Sequence, residues 1–266
     1  MQIWAHGSTV LGVGTSAPRA PLDKSIIASA LSQYWRVSVL DLTTSTQSEL
    51  ADMVRKNSAK SGDVIAAEFQ TAGRGRMDRT FEAPKSSALL FSLYITPTRD
   101  RGDWGFITHL AALTMQQVIS VDLLSQVSLK WPNDILIGDA KVAGLLAQAA
   151  GEGIILGIGI NVSMTEDELP VSSATSLAIA GSSNLNRNLI LSNFLMLFES
   201  NFKKWDEGQD FIESYSRNCS TIGQNVRVEV AGRESRTGKA LAINQTGALI
   251  LEDGFEVNVG DVVHLR

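Results

Sequence analysis

The sequence predicts an α+β fold in two parts, a mixed body of strands and helices followed by a small β-barrel. Apolar runs of strand length alternate with amphipathic helical stretches up to about residue 218. From Thr221 onward, short strands follow one another through tight turns with no helix between them. The length, 266 residues, fits one sizeable domain with a small appendage. The expected boundaries are an N-terminal extension over 1–21, a body over 22–218 and a C-terminal unit over 219–266.

In chain order, Gly12-Val13-Gly14-Thr15-Ser16-Ala17 matches a dinucleotide-binding pattern, but Pro18 and Pro21 stand where its helix must run and no strand precedes it. A helix is expected from Leu22 to Trp35, then a strand at Val37–Leu40. Thr46 and Glu49 have capping-box spacing before Leu50, Met53 and Val54, so a helix begins there. Strands follow at Asp63–Ala67 and Ala88–Ile95, and a helix from about Trp104 to Val121. His109 falls among apolar neighbours of that helix, as a core or boundary residue.

Val127–Trp131 alternates as a strand and is stopped by Pro132-Asn133-Asp134. Ile135–Ile137 and Val142–Leu146 flank Gly138-Asp139 as a hairpin. Ile154–Val162 is a strand with glycines at 157 and 159 on one face, a mark of close approach by a ligand or backbone. An acidic, serine-rich loop leads to an amphipathic helix from Asn188 to about Trp205 and a short one near Phe211–Tyr215. Four closing strands are centred on Val226–Val230, Gly238–Ile243, Ala248–Leu251 and Val262–Leu265.

Composition narrows the function. The net charge of −5 is not that of a general nucleic-acid binder. A single cysteine, Cys219, excludes an internal disulfide and points to a reducing, cytoplasmic setting, with Cys219 as buried filler. His6, His109 and His264 lack partners at ligand spacing, so no protein-only metal site is expected. There is no apolar run of membrane-spanning length, and no positively charged leader before the apolar patch at Thr9–Val13.

Three stretches carry chemistry. Gly73-Arg74-Gly75-Arg76 is either a solvated turn or a loop that lays its backbone and two guanidinium forks against an anion. Lys141 shares a face with Ala143 and Leu145, and its ammonium must reach water or an anion. Ser45-Thr46-Gln47 is either a helix cap or a corner holding a polar ligand on exposed N–H groups.

Together with Gln70-Thr71-Ala72 before the glycine–arginine run, Lys130-Trp131-Pro132-Asn133-Asp134, Lys141-Val142-Ala143-Gly144-Leu145-Leu146 and Gly157-Ile158-Gly159-Ile160-Asn161-Val162, these stretches resemble the biotin protein ligases in order and approximate spacing. The resemblance runs from about Leu40 to Arg266. It implies a catalytic domain like that of class II aminoacyl-tRNA synthetases, then an SH3-like barrel. It also implies ATP and biotin as substrates with Mg²⁺ accompanying ATP, biotinyl-5′-AMP as intermediate, and a biotin carboxyl carrier domain as acceptor.

On that resemblance Arg74, Arg76 and Lys141 neutralise the two anions, with Lys141 bridging carboxylate and phosphate. Ser45, Thr46, Gln47 and Gln70 hold the polar head of biotin, Gly144 and Gly157 admit its apolar bicycle against the sheet, and Gly73 and Gly75 belong to the biotin-binding loop. Arg76, Phe81, Lys130, Asn133 and Asn161 face the nucleotide. Asp134 orients or deprotonates the acceptor lysine, or lies near Mg²⁺. Asp78 and Phe81 depart from the family's usual glycine and tryptophan, a change expected to weaken retention of the intermediate. A lipoate or octanoate ligase of the same fold, or a non-catalytic biotin-binding regulator, is the alternative. DNA and membrane binding are not expected, and a monomer or weak homodimer is.

Overall fold

The computed structural model describes residues 19–77, 79–229 and 234–265. The Gly12–Ala17 pattern, most of the N-terminal extension and Asp78 lie outside them. Seven strands form one sheet: β1 (Arg36–Leu40), β2 (Asp63–Ala67), β3 (Ala88–Ile95), β4 (Val127–Lys130), β5 (Asp134–Ile137), β6 (Ala140–Ala150) and β7 (Gly153–Asn161). Their order is β1-β2-β3-β7-β6-β5-β4; only β1 and β2 run parallel.

Side chains alternate across a strand, so each strand feeds both faces of this sheet. Leu89, Phe91, Leu93 and Ile95 of β3 and Leu156, Ile158 and Ile160 of β7 fill one face. They pack with α3 (Ile107–Ser120) and α4 (Arg187–Asp206). The opposite face receives α2 (Thr46–Arg55), whose Leu50 meets Ile65, Tyr94 and Ile155. Helix α2 covers only part of that face.

The C-terminal strands β8 (Asn225–Glu229), β9 (Arg236–Ile243), β10 (Leu249–Leu251), β11 (Glu256–Val257) and β12 (Asp261–His264) make a five-stranded antiparallel sheet, ordered β11-β10-β9-β8-β12. This is the small unit of SH3-like kind, with β11 added to the four expected strands. It closes on the body through Trp131, whose indole N–H donates to Gly247 O (2.9 Å) and whose amide donates to Thr221 Oγ1 (3.1 Å). Ser220 N donates to Leu129 O at 2.8 Å, continuing the edge of β4 into the linker. Cys219 is buried there. No helix among the described residues is long and apolar enough to cross a membrane.

Three local expectations change. The first helix, α1, spans only Lys24–Ser29, because the backbone tightens to an i→i+3 bond from Leu31 to Ala28 and turns toward β1. The Thr46–Glu49 capping box does not form. Ser45 is the N-cap without a side-chain bond, Gln70 Oε1 accepts from Thr46 N (2.7 Å), and Glu49 accepts from Thr43 Oγ1. A long-range side chain therefore satisfies the helix end in place of a local one. Finally, Lys141 does not lie on the face of Ala143 and Leu145. The β5–β6 register shifts between Ile135 and Leu136, pairing Ala143 with Ile135 but Lys141 with Leu136. The extra residue on β6 is a β-bulge, and it turns Lys141 onto the face of Gly144.

Candidate active site

The uncovered part of the second face is floored by two rows of cross-strand neighbours. One row is Leu90, Gly159, Gly144 and Asp134; the other is Ser92, Gly157 and Leu146. Three glycines in these rows each seat a side chain from elsewhere. A Cβ on Gly157 would stand 3.2 Å from Gln47 Oε1, one on Gly144 3.1 Å from Lys141 Nζ, and one on Gly159 2.8 Å from the Phe81 ring. The glycines thin the sheet where α2, the bulge and the glycine–arginine hairpin converge. Above them opens a cavity of about 370 Å³.

All the candidate site residues line this cavity except Gly73 and Asn161. Gly73 is buried under the hairpin. The hairpin folds back on itself, with Arg74 bridged to Thr80, Phe81 N donating to Gly73 O (3.0 Å) and Gly75 N donating to Arg79 O (2.7 Å). A Cβ on Gly73 would meet Phe81 O at 2.3 Å and one on Gly75 would meet Arg79 O at 2.9 Å. These two glycines thus admit the returning strand of their own hairpin.

The base of the hairpin is anchored by Glu68, which is buried and ion-paired to Arg187 at 2.8 Å. Glu68 also accepts from Leu22 N and, at 2.7 Å, from Ser86 Oγ. Burial pushes the Glu68 carboxyl up, but the Leu22 amide, Ser86 hydroxyl and Arg187 outweigh it and hold it below the usual range.

One end of the cavity is neutral and hydroxyl-rich. Thr46 Oγ1 and Ser92 Oγ lie 2.7 Å apart, and Gln47 Nε2 reaches Leu146 O at 3.4 Å. Ser92 was not among the residues singled out from sequence, although a serine inside the apolar run Ala88–Ile95 is the signal that marks it.

The other end is charged. Lys141 Nζ lies 2.6 Å from Asp134 Oδ1, and both remain partly exposed. Arg74 is exposed and reaches across to Gln148 Oε1 (3.3 Å). Arg76 donates to Gly260 O (2.9 Å) in the C-terminal unit. Its Nε is buried without a hydrogen-bond partner among the described residues, 3.5 Å from Asp261 Oδ1, an ion-pair distance without bonding geometry. Burial pulls the Arg76 guanidinium below its usual pKa, and the neighbouring Asp134 partly restores it. Arg79, also missed from sequence, pairs with Asp261.

Phe81 and Lys130 line both this cavity and an adjoining groove of about 1050 Å³, which carries Asn161, Asp139, His264 and the loop at Ser173-Ala174. Two of the expected nucleotide ligands use their amide nitrogens on the main chain. Asn133 Nδ2 donates to Leu145 O (2.7 Å) and Asn161 Nδ2 to Thr175 O (2.9 Å). Their side-chain oxygens are what they have left to offer a ligand.

Among the described residues no group of three or more His, Cys, Asp or Glu side chains could hold a metal ion. The carboxylates in the cavity wall are Asp134, paired with Lys141, Asp261, paired with Arg79, and Glu229, so a Mg²⁺ arriving here fits best as an ion already carried by phosphates.

Two family models match the chain: the Biotin/lipoate A/B protein ligase family over residues 39–164, and the Biotin protein ligase C terminal domain over 221–265. A biotin–[acetyl-CoA-carboxylase] ligase of Mycobacterium tuberculosis is 33% identical, across 93% of this chain and 97% of its own length. The bifunctional ligase/repressor BirA of Bacillus subtilis is 34% identical, across 80% of this chain and 67% of its own. The biotin protein ligase of Aquifex aeolicus, solved with biotin and ATP, superposes with a TM-score of 0.74 at 26% identity, covering 87% of this chain and 99% of that one.

Proposed function

The chain belongs to the biotin protein ligase family, and on that premise we propose how its own residues carry the reaction. It is an ATP-dependent ligase that activates biotin and joins it to a lysine of a carboxyl carrier domain. In the first step a biotin carboxylate oxygen attacks the α-phosphorus of ATP, and the bond to the β-phosphate oxygen breaks to release pyrophosphate. In the second, the carrier's ε-amine attacks the acyl carbon, the bond to AMP breaks, and one proton leaves the nitrogen.

The observation that carries this reading is the Lys141–Asp134 pair seated over Gly144, in one cavity with a neutral hydroxyl-rich recess and the arginine hairpin. The recess at Thr46, Gln47, Gln70 and Ser92 suits the uncharged polar head of biotin. Gly157 gives room for its bicycle against the sheet. Its carboxylate then points toward Lys141, whose ammonium stabilises charge on carboxylate and phosphate together. Arg76 has a buried Nε that an anion would satisfy, and Arg74 approaches from the rim. Phe81, over Gly159, offers a ring face to the nucleotide base at the junction with the groove.

In the second step Asp134, beside Lys141, is placed to accept the proton of the acceptor amine. Mg²⁺ accompanies the ATP phosphates and shields their charge. The hairpin excludes water from the mixed anhydride, since its tip is tied by Arg76 and Arg79 to Gly260 and Asp261.

The test is biotin-dependent ATP–pyrophosphate exchange, run with lipoate and acid-free controls. Exchange with biotin alone is expected, and Lys141→Ala should lower it about 100-fold or more while leaving the melting temperature unchanged. Exchange with lipoate in place of biotin would overturn the reading.

A further inference from the structure

The Lys141 main chain is held on both sides, and one of its holders lies outside the cavity. The ladder between β6 and β7 ends at Ala143–Ile160. Beyond it the two strands part, and residues 173–178 thread between them. On the β6 side, Lys141 N donates to Ser173 O (2.8 Å), Thr175 N donates to Lys141 O (2.8 Å), and Lys141 and Ala174 form a parallel bridge. On the β7 side, Leu177 N donates to Asn161 O (3.0 Å) and Ala178 N to Val162 O (2.9 Å). The buried Asn161 side chain closes the arrangement by donating Nδ2 to Thr175 O at 2.9 Å.

This strap meets β6 at the bulge that aims Lys141. Without it, the N–H and C=O of Lys141 would lose their pairing where the β5–β6 register already shifts. A slip by one residue there returns the lysine to the packed face. The ammonium sits on a flexible four-carbon stem, so its place beside Asp134 depends on where the main chain starts that stem.

We infer that Asn161 is a positioning residue: through Thr175 it fixes the 173–175 strap, which sets the bulge and so the reach of Lys141 toward Asp134. The inference rests on Lys141 being the group that bridges carboxylate and phosphate.

The experiment uses the full chain carrying Asn161→Ser or Thr175→Pro, each alone and combined with Lys141→Ala. Thr175 lines neither the cavity nor the groove, so its variant acts only through the strap. Each single variant should lower kcat for biotin-dependent exchange about 10- to 100-fold with the ATP KM nearly unchanged. In the Lys141→Ala background neither should cause a further loss. Losses that multiply in the double variants would overturn the inference. So would a raised ATP KM with kcat retained, which makes Asn161 a nucleotide contact alone.

A second readout is independent of turnover and needs only Asn161→Ser if Thr175→Pro does not fold. In reductively ¹³C-methylated protein, the Lys141 signal, assigned with Lys141→Arg, should shift in Asn161→Ser. An unmoved signal in folded protein refutes the positioning role. A shifted signal in a protein that shows no biotin-dependent exchange leaves that role standing and removes the ligase reading.

Discussion

The two faces of the seven-stranded sheet are made by alternate residues of the same strands, yet one is filled and the other is left partly open beside α2. On the filled face Phe91 packs edge-on against Phe194 of α4, and Leu156, Ile158 and Ile160 are all buried. On the open face the corresponding positions are Ser92, Gly157 and Gly159. Where a side chain is withheld, a ligand or a visiting residue takes its place. The same strands therefore supply stability on one side and a binding surface on the other, and a substitution should report which side it touches.

The largest effect is expected on the filled face. Phe91→Ala should destabilise the fold by about 3–5 kcal/mol, seen as a lower denaturant midpoint. Residual folded protein should keep its biotin KM; a KM that rises in step with lost stability would erase the distinction between the faces.

The filled face also meets the C-terminal unit at His109, which is fully buried between Phe106, Tyr215 and the turn at Gly247. Neither ring nitrogen has a hydrogen-bond partner among the described residues. Burial lowers its pKa from 6.5 to about 4, opposed by a contact with the Gly105 main chain. The folded state thus keeps His109 neutral where the unfolded chain takes up a proton. Its contribution is complete above pH 6.5 and is lost as the pH falls toward 4. Stability should decline by up to about 1.4 kcal/mol per pH unit in that window. His109→Phe should flatten the slope, and an equal slope in that variant would place its origin elsewhere.

On the open face, Gly157→Ala should act with opposite signs on folding and binding. Replacing a strand glycine lowers the unfolded-state entropy, which favours folding by about 0.5–1 kcal/mol. The new methyl would stand 3.2 Å from Gln47 Oε1 and 3.3 Å from Ser92 Oγ, so those side chains must give by a few tenths of an ångström. Biotin KM should rise about tenfold, roughly 1.4 kcal/mol, with kcat nearly kept. An unchanged KM would mean that biotin does not lie on this row.

The sequence alone determined the elements that depend on local periodicity and on which residues can be buried. The strands of the sheet, the long amphipathic helix α4, the hairpin at Gly138-Asp139 and the β-rich C-terminus were all legible, because alternation and helical spacing are short-range signals. So were the cavity-lining stretches, since glycines inside strands and a lysine in an apolar run stand out against those periods.

Tertiary structure decided what depends on partners distant in the chain. Gln70, not Glu49, meets the start of α2, 24 residues away. Gly73 and Gly75 answer to the return of their own hairpin, and Asn161 answers to Thr175. The face presented by Lys141 followed from a one-residue bulge that strict alternation reads the other way. A period of two is written in the residues of a single strand; the place where that period breaks is set by what the neighbouring strand and the strap can pair with.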